Sequence, residues 1–259
     1  MKAFALIPLL LAAQPAAAAP IDDPWALVPK LPSSCYGDRD DFAAQSNASL
    51  NTIAAEEARQ DELNSAISQQ SKDLDPMEMQ QRTMDFLMEH PEDAETLMRE
   101  LMQTGQETSE AAPEMNAQSQ QLEDELAELF ARYDADYKKS IGLLESRYYG
   151  DQDGELSERA AFLMVEKMNE AYEGLCTTWW KNGPFHAWLA KEKAFLIENA
   201  AVWEKNDKAG VEQNALMLGI SADGYRSTAA LSATRNFLRK ANDIFSKRWS
   251  APMKYSPGI

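Results

Sequence analysis

Apolar residues recur at helical spacing along most of this chain, and the clearest run lies between residues 115 and 148. Its members are Met115, Leu122, Leu126, Leu129, Phe130, Tyr133, Tyr137, Ile141, Leu144 and Tyr148. Steps of three and four residues are close to a heptad and predict an amphipathic helix roughly 50 Å long, at about 1.5 Å per residue. No stretch alternates apolar and polar residues as a strand does, so the sequence predicts an all-α fold.

Residues 38–150 are predicted to form a long-helix hairpin or bundle. Residues 38–73 are predicted to form a long polar helix with a weak apolar stripe. The length of this helix makes it the expected antiparallel partner of the 115–148 helix. Gly105 is the expected C-terminus of an intervening helix, because glycine commonly follows the last helical turn. Residues 106–113 are then expected to be a linker.

Prolines predict where the intervening helices begin and end. Asp75 followed by Pro76 is typical of an N-cap and a first helical position, so a helix is expected to begin there. His90-Pro91 is expected to interrupt it, because proline disfavours the helical conformation in the residue before it.

A compact, aromatic-rich helical region is predicted for residues 151–250, with a flexible tail at 251–259. Glycines and aspartates from Gly150 to Gly154 separate it from the preceding region. Its expected helices lie at about 155–181, 184–205, 209–220 and 225–249, bounded by glycine- and proline-containing stretches.

The N-terminal residues have the layout of a secretory signal peptide. Lys2 precedes an apolar run that is too short to span a bilayer, and alanines at 16–19 provide a signal-peptidase site. We expect cleavage after Ala18, so that residues 1–18 are removed and the product is periplasmic or secreted. No later stretch approaches about 18 consecutive apolar residues, so no membrane span is expected.

Residues 19–37 are predicted to be an extended arm that packs along a groove of the helical body. Four prolines between residues 20 and 32 oppose helix formation. Cys35 at the end of the arm and Cys176 are the only cysteines. In an oxidising compartment they are expected to form one disulfide, and so few cysteines and histidines disfavour a zinc site.

Acidic residues dominate the first half of the chain. The formal net charge is −17; residues 21–130 carry 25 acidic and 6 basic residues, whereas residues 191–259 carry 7 and 11. This distribution disfavours nucleic acid and anionic lipid and favours a protein partner with a basic surface. The simpler interpretation is a solvated helical surface.

Methionines form the first candidate site. They are Met77, Met84, Met88, Met98 and Met102, of which two pairs lie one helical turn apart. Methionine fills irregular cores and lines adaptable partner surfaces, and leucines on the same stripe favour such packing. Thioether pairs also suit Cu(I), which makes copper binding the alternative.

Tryptophans form the second candidate site. Trp179, Trp180, Trp188 and Trp203 lie close together in the sequence, with Phe185 and Phe195 among them. A hydrophobic core is the expected role, and a stacking platform for glycan or peptide is the alternative. Because Trp179 and Trp180 are adjacent, their side chains diverge by about 100° on a helix, and one of them is expected to be an exposed contact.

No catalytic or cofactor motif accompanies these candidates. His90 and His186 have no nucleophile motif beside them. The sequence therefore predicts an exported, non-enzymatic helical protein that binds a partner protein, as a chaperone, inhibitor or adaptor does. The alternatives are a hydrolase of cell-wall or other polysaccharide that uses carboxylates near the tryptophans, and a copper binder.

Overall fold

The all-α prediction is confirmed across the residues that the computed structural model describes. These are residues 21–32, 39–73, 75–89, 91–144, 146, 158–181, 183–218 and 227–248. The helices are α1 (Arg39–Asp73), α2 (Pro76–Glu89), α3 (Pro91–Tyr137), α4 (Glu158–Trp179), α5 (Pro184–Leu218) and α6 (Ala229–Arg248). A 3-10 turn (Pro24–Leu27) precedes α1, and a π-helical turn (Lys138–Gly142) continues α3. The predicted signal peptide, tail and region boundary near residue 150 lie outside the described residues.

The α2 helix begins where its sequence predicts. Pro76 is its first residue, and Asp75 Oδ1 accepts a 3.0 Å hydrogen bond from the backbone N–H of Met77. This bond satisfies one of the N–H groups that a helix start leaves without an intrahelical partner. α2 ends at Glu89 and α3 begins at Pro91, and the expected interruption at His90 lies outside the described residues.

The α3 helix is longer than predicted, because it continues through Gly105 and Pro113. The expected helix end at Gly105 and the expected linker at residues 106–113 are therefore wrong. Local side chains support the helix here: Gln103 Nε2 donates a 2.9 Å hydrogen bond to Glu107 Oε1, four residues on. Packing of α3 along α5 outweighs the intrinsic cost of glycine and proline, about 1 and 3 kcal/mol.

The α5 helix is likewise continuous where two helices, at 184–205 and 209–220, were expected. Gly210 lies within it, with open space where a Cβ would be. Both α2 and α3 pack against α5. These contacts hold the polar stretch between the expected helices in helical conformation, so the predicted break is wrong.

The long helices pair differently from the prediction. α3 runs antiparallel to α5, since Leu122 O accepts from Trp188 Nε1 at 2.9 Å, whereas the earlier residues Glu100 and Glu107 of α3 line a cleft with the later residues Lys205 and Lys208 of α5. Among the described helices, the main partner of α1 is α6, so the expected α1–α3 pairing is wrong. The physical reason is that the apolar stripe of α3 is covered by the aromatic residues of α4 and α5.

The main hydrophobic core lies where α3, α4, α5 and α6 meet. Its largest buried members are Tyr133, Ile141, Met168, Trp179, Trp180, Phe185, Trp188, Phe237 and Phe245. The same core includes Phe42 from α1 and Cys176 from α4. Side chains from both predicted regions therefore share one cluster.

The N-terminal arm packs against the helices as predicted, but it is not extended throughout. Prolines permit its 3-10 turn, because proline suits a first helical position and a single turn needs few N–H donors. Asp23 Oδ1 caps the turn by accepting a 2.9 Å bond from the Trp25 N–H. Farther along, Leu27 O accepts from the Ser49 hydroxyl at 2.6 Å, and Pro32 O accepts from Trp180 Nε1 at 2.8 Å.

Candidate functional site

The five predicted methionines lie on the surface of α2 and of the first turns of α3. Their side chains are 74% (Met77), 54% (Met84), 71% (Met88), 48% (Met98) and 70% (Met102) exposed. We call these five residues the methionine surface. Exposure at this level excludes a core role for these methionines. Of the two roles that the sequence left open, core packing and a partner surface, only the partner surface fits.

An open groove of about 700 Å³ lies along the α3 part of the methionine surface. Its lining is mainly apolar and is formed by Pro91, Glu95, Met98, Arg99, Met102, Gln103 and Gln106. Sequence reasoning missed the polar members of this lining. Glu95 and Gln106 stand three residues before Met98 and four after Met102, so the same helical spacing would have found them.

Exposed charges surround the methionines. Glu78, Asp85, Glu89, Glu92 and Glu100 are all exposed. The two arginines of this segment each contact a glutamate four residues earlier: Arg82 Nη2 lies 3.1 Å from Glu78 Oε1, and Arg99 Nη2 lies 2.9 Å from Glu95 Oε1. Such exposed pairs within one helix add little stability, so the acidic surplus faces solvent.

The methionine surface is distant from the aromatic core. Met102 precedes Leu122, which contacts Trp188 in the core, by 20 helical residues. That separation corresponds to roughly 30 Å along α3. α2 packs against both α3 and α5.

Trp179 and Trp180 are both buried, at 3% and 0% exposure. The prediction that one of this pair is an exposed partner contact is therefore wrong. Trp179 Nε1 donates to Asp136 Oδ2 at 3.0 Å, and its ring meets Tyr133 edge-on at 6.0 Å. Trp180 instead faces the arm and α6, with its ring centroid 4.7 Å from that of Phe245.

The two adjacent rings are buried because different elements cover them. α4 ends at Trp179, and Trp180 lies in the turn that follows. The rings diverge as predicted, but α3 covers one side of this helix end, and the arm and α6 cover the other. Trp188 is also buried, at 2% exposure, whereas Trp203 is 46% exposed.

Glu192, one helical turn after Trp188, has a structural partner. Glu192 is buried, and its Oε1 accepts from Lys240 Nζ at 2.6 Å. The same Lys240 ammonium lies 5.6 Å from the Trp188 ring centroid, a cation–π contact. A buried, charge-paired carboxylate of this kind is poorly placed to reach a polymer substrate.

Two other ionisable groups of α5 have pKa values that burial perturbs. Burial lowers the pKa of His186, opposed by a hydrogen bond to the Pro32 carbonyl. Burial raises the pKa of Glu204, opposed by a hydrogen bond to the backbone of Ala230. In both cases the uncharged form is favoured, as expected for partly desolvated side chains.

The predicted disulfide has one buried partner within the structure. Cys176 is fully buried in the main core. Cys35 lies outside the described residues, so the pairing stays a prediction.

Comparison with protein-family models, with curated proteins and with solved structures finds no match for this chain. Within the described ranges, no group of three or more histidine, cysteine, aspartate and glutamate residues is placed to hold a metal ion. In the same ranges, no helix has both the length and the apolar character needed to cross a membrane.

Proposed function

We propose that this chain is an exported, non-enzymatic helical protein that binds a partner protein through the methionine surface. The observation that carries the proposal is the exposure of five methionines on two neighbouring helices. Large apolar side chains clustered at a surface mark interaction sites, and methionine is enriched at protein interfaces.

The physical advantage of this surface is apolar contact area combined with adaptability. Burying one exposed methionine side chain contributes roughly 1.5–3 kcal/mol. Its unbranched, polarisable side chain adjusts to different partner shapes. A surface of this kind suits a chaperone, inhibitor or adaptor, which meets its partner by packing.

Affinity capture with matched variants tests the proposal. The purified mature chain is compared with a variant that carries Met84→Gln, Met88→Gln, Met98→Gln and Met102→Gln, which keep side-chain length and helix propensity. Leu163→Gln, which alters an exposed apolar residue on α4, is the control. We expect the same envelope protein to be captured by the wild type and the control but not by the quadruple variant. Capture that is absent, or equal for all three proteins, would contradict the proposal.

Copper binding is a second candidate, favoured by the exposure of two thioether pairs, each one helical turn apart. Replacing the same four methionines by leucine separates the two functions. Leucine keeps the apolar surface but removes sulfur, so partner capture is expected to survive while Cu(I) binding is lost. A Cu(I) stoichiometry below one for the wild type would reject this candidate.

A further inference from the structure

We infer that the methionine surface receives a cationic amphipathic helix of the partner, an inference that rests on the proposed function and specifies the partner's chemistry. Two features meet at this surface: exposed thioethers at helical spacing and an excess of exposed carboxylates. The thioethers favour a partner helix with an apolar stripe. The carboxylates favour basic residues on either side of that stripe.

The spacing of the methionines matches the stripe of a helix. Met84 and Met88 lie one turn apart on α2, and Met98 and Met102 lie one turn apart on α3, beside the 700 Å³ groove. An amphipathic helix presents anchors at three- and four-residue steps and buries them in an apolar groove between helices.

The charge around the methionines is strongly one-sided. Residues 75–99 contain seven acidic residues and two arginines, a net of −5. Both arginines already contact glutamates of their own helix. A lysine- or arginine-rich helix would meet complementary potential here, which favours association and fixes orientation.

The same charge argues against the other simple occupants of the surface. A second copy of this chain would place two net-negative surfaces face to face, which like-charge repulsion disfavours. An anionic lipid surface is disfavoured for the same reason.

The fold already contains an example of this matching. Glu100 and Glu107 of α3 line a polar cleft of about 290 Å³ together with Lys205 and Lys208 of α5. The acidic side of α3 thus meets lysines on a neighbouring helix within the molecule. A cationic helix bound at the methionine surface would likewise place basic residues beside carboxylates, on an adjacent face of α3.

Three synthetic helical peptides of about 18 residues test the inference on the mature protein. They share one leucine stripe and differ only on the polar face, which carries lysine, glutamine or glutamate. We expect the lysine peptide to bind at least about tenfold tighter than the glutamine peptide at low salt, with the glutamate peptide weakest. The lysine-to-glutamine ratio is expected to shrink at about 300 mM salt, because the charges are exposed.

Two sets of substitutions locate the binding. Met84→Gln with Met98→Gln should weaken the lysine and glutamine peptides alike. Glu89→Gln with Glu92→Gln should weaken the lysine peptide alone. Glu123→Gln with Glu128→Gln, at exposed positions of α3 far from the methionines, is the matched control and should leave both affinities unchanged.

The outcomes separate this inference from the proposed function. Equal affinity for the lysine and glutamine peptides, both lost in the methionine variant, overturns the inference while the binding function stands. Loss of lysine-peptide affinity in the control as much as in the test variant shows diffuse attraction and also overturns it. If no peptide binds but partner capture still depends on the methionines, only the inference fails. If capture fails as well, both fail.

Discussion

Two buried hydroxyls at the α1 and α6 helices have no hydrogen-bond partner in the described part of the chain. They belong to Ser46 and Thr234, which are both fully buried. A buried hydroxyl that gives up its bonds to water without replacing them destabilises the fold by roughly 1–3 kcal/mol. Such positions are therefore sites where an apolar substitution stabilises.

Thr234→Val is expected to raise the free energy of unfolding by about 1 kcal/mol, because valine has the shape of threonine without the hydroxyl. Thr52→Val is the control, since Thr52 is exposed and its hydroxyl donates to Ala48 O at 3.0 Å. The control should change stability by less than about 0.5 kcal/mol. Urea denaturation followed by circular dichroism measures both. A destabilised Thr234→Val protein would show that this hydroxyl has a partner after all.

His186 makes stability depend on pH. Burial beside Trp180 lowers its pKa from the usual 6.5, so the unfolded chain binds a proton more readily than the folded one. The contribution of neutral His186 to the free energy of unfolding is fully present above pH 6.5. It is lost as the pH falls from 6.5 through the folded-state pKa.

His186→Gln is therefore expected to flatten the decline in stability between pH 7 and pH 5. Glu204, whose pKa is raised, contributes with the opposite sign but equally to both proteins, so it cancels in the comparison. Urea midpoints across this pH range give the measurement. Parallel pH profiles for the wild type and the variant would refute the assignment.

At the scale of elements, Gly105 and Gly183 have opposite roles although both are glycines near expected helix ends. Gly105 lies inside α3 with open space at its Cβ position, whereas a Cβ on Gly183 would overlap the backbone of Trp179. Gly105→Ala is expected to stabilise by about 0.5–1 kcal/mol through helix propensity. Gly183→Ala should destabilise by roughly 1–3 kcal/mol through overpacking.

Thermal denaturation of the two variants checks this pair. If residues 106–113 were a linker and Gly105 a helix terminus, Gly105→Ala would destabilise instead. The sign of that one change therefore decides between the continuous α3 helix and the linker that the sequence suggests.

Local signals predicted the elements that depend on neighbouring residues. The start of α2 follows from Asp75 and Pro76, because a cap and the N–H group that it bonds lie two residues apart. The continuity of α3 and α5 did not follow, because it depends on contacts between two helices far apart in the sequence. Gly105 and Gly210 weaken each helix locally, and only the packing of α3 along α5 outweighs that cost.

The candidate residues were likewise predictable in part. The sequence identified the methionines but left open whether they are buried, since the same spacing serves a core and a surface. The prediction that one of Trp179 and Trp180 is exposed failed in part because Pro32, which accepts the Trp180 Nε1 hydrogen bond, lies 148 positions earlier in the chain.

At the scale of the whole molecule, contacts join the acidic first half to the basic last third. Glu57 of α1 lies 2.6 Å from Arg235 of α6, and Glu125 of α3 lies 2.9 Å from Lys191 of α5. Some acidic residues of the first half are thus paired with basic residues of the last third within the fold. The methionine surface carries part of the acidic surplus that these internal contacts leave exposed.

The predicted Cys35–Cys176 disulfide would link the arm to α4 covalently. Pro32 O accepts the Trp180 Nε1 hydrogen bond, which places the end of the arm beside the turn that follows Cys176. Three more residues span at most about 10 Å, which is enough for Cys35 to reach the C-terminal end of α4.

Reduction of the mature protein is therefore expected to lower its melting temperature by on the order of 10 °C. A disulfide that closes a loop of roughly 140 residues stabilises the folded state by up to about 4–5 kcal/mol, because it lowers the conformational entropy of the unfolded chain. The Cys35→Ser, Cys176→Ser protein should melt at the lower temperature with or without reductant, which separates the bridge from other effects of the reagent. Titration of the unreduced, denatured wild type should find no free thiol. Two titratable thiols would show that the arm is held by its packing and hydrogen bonds alone.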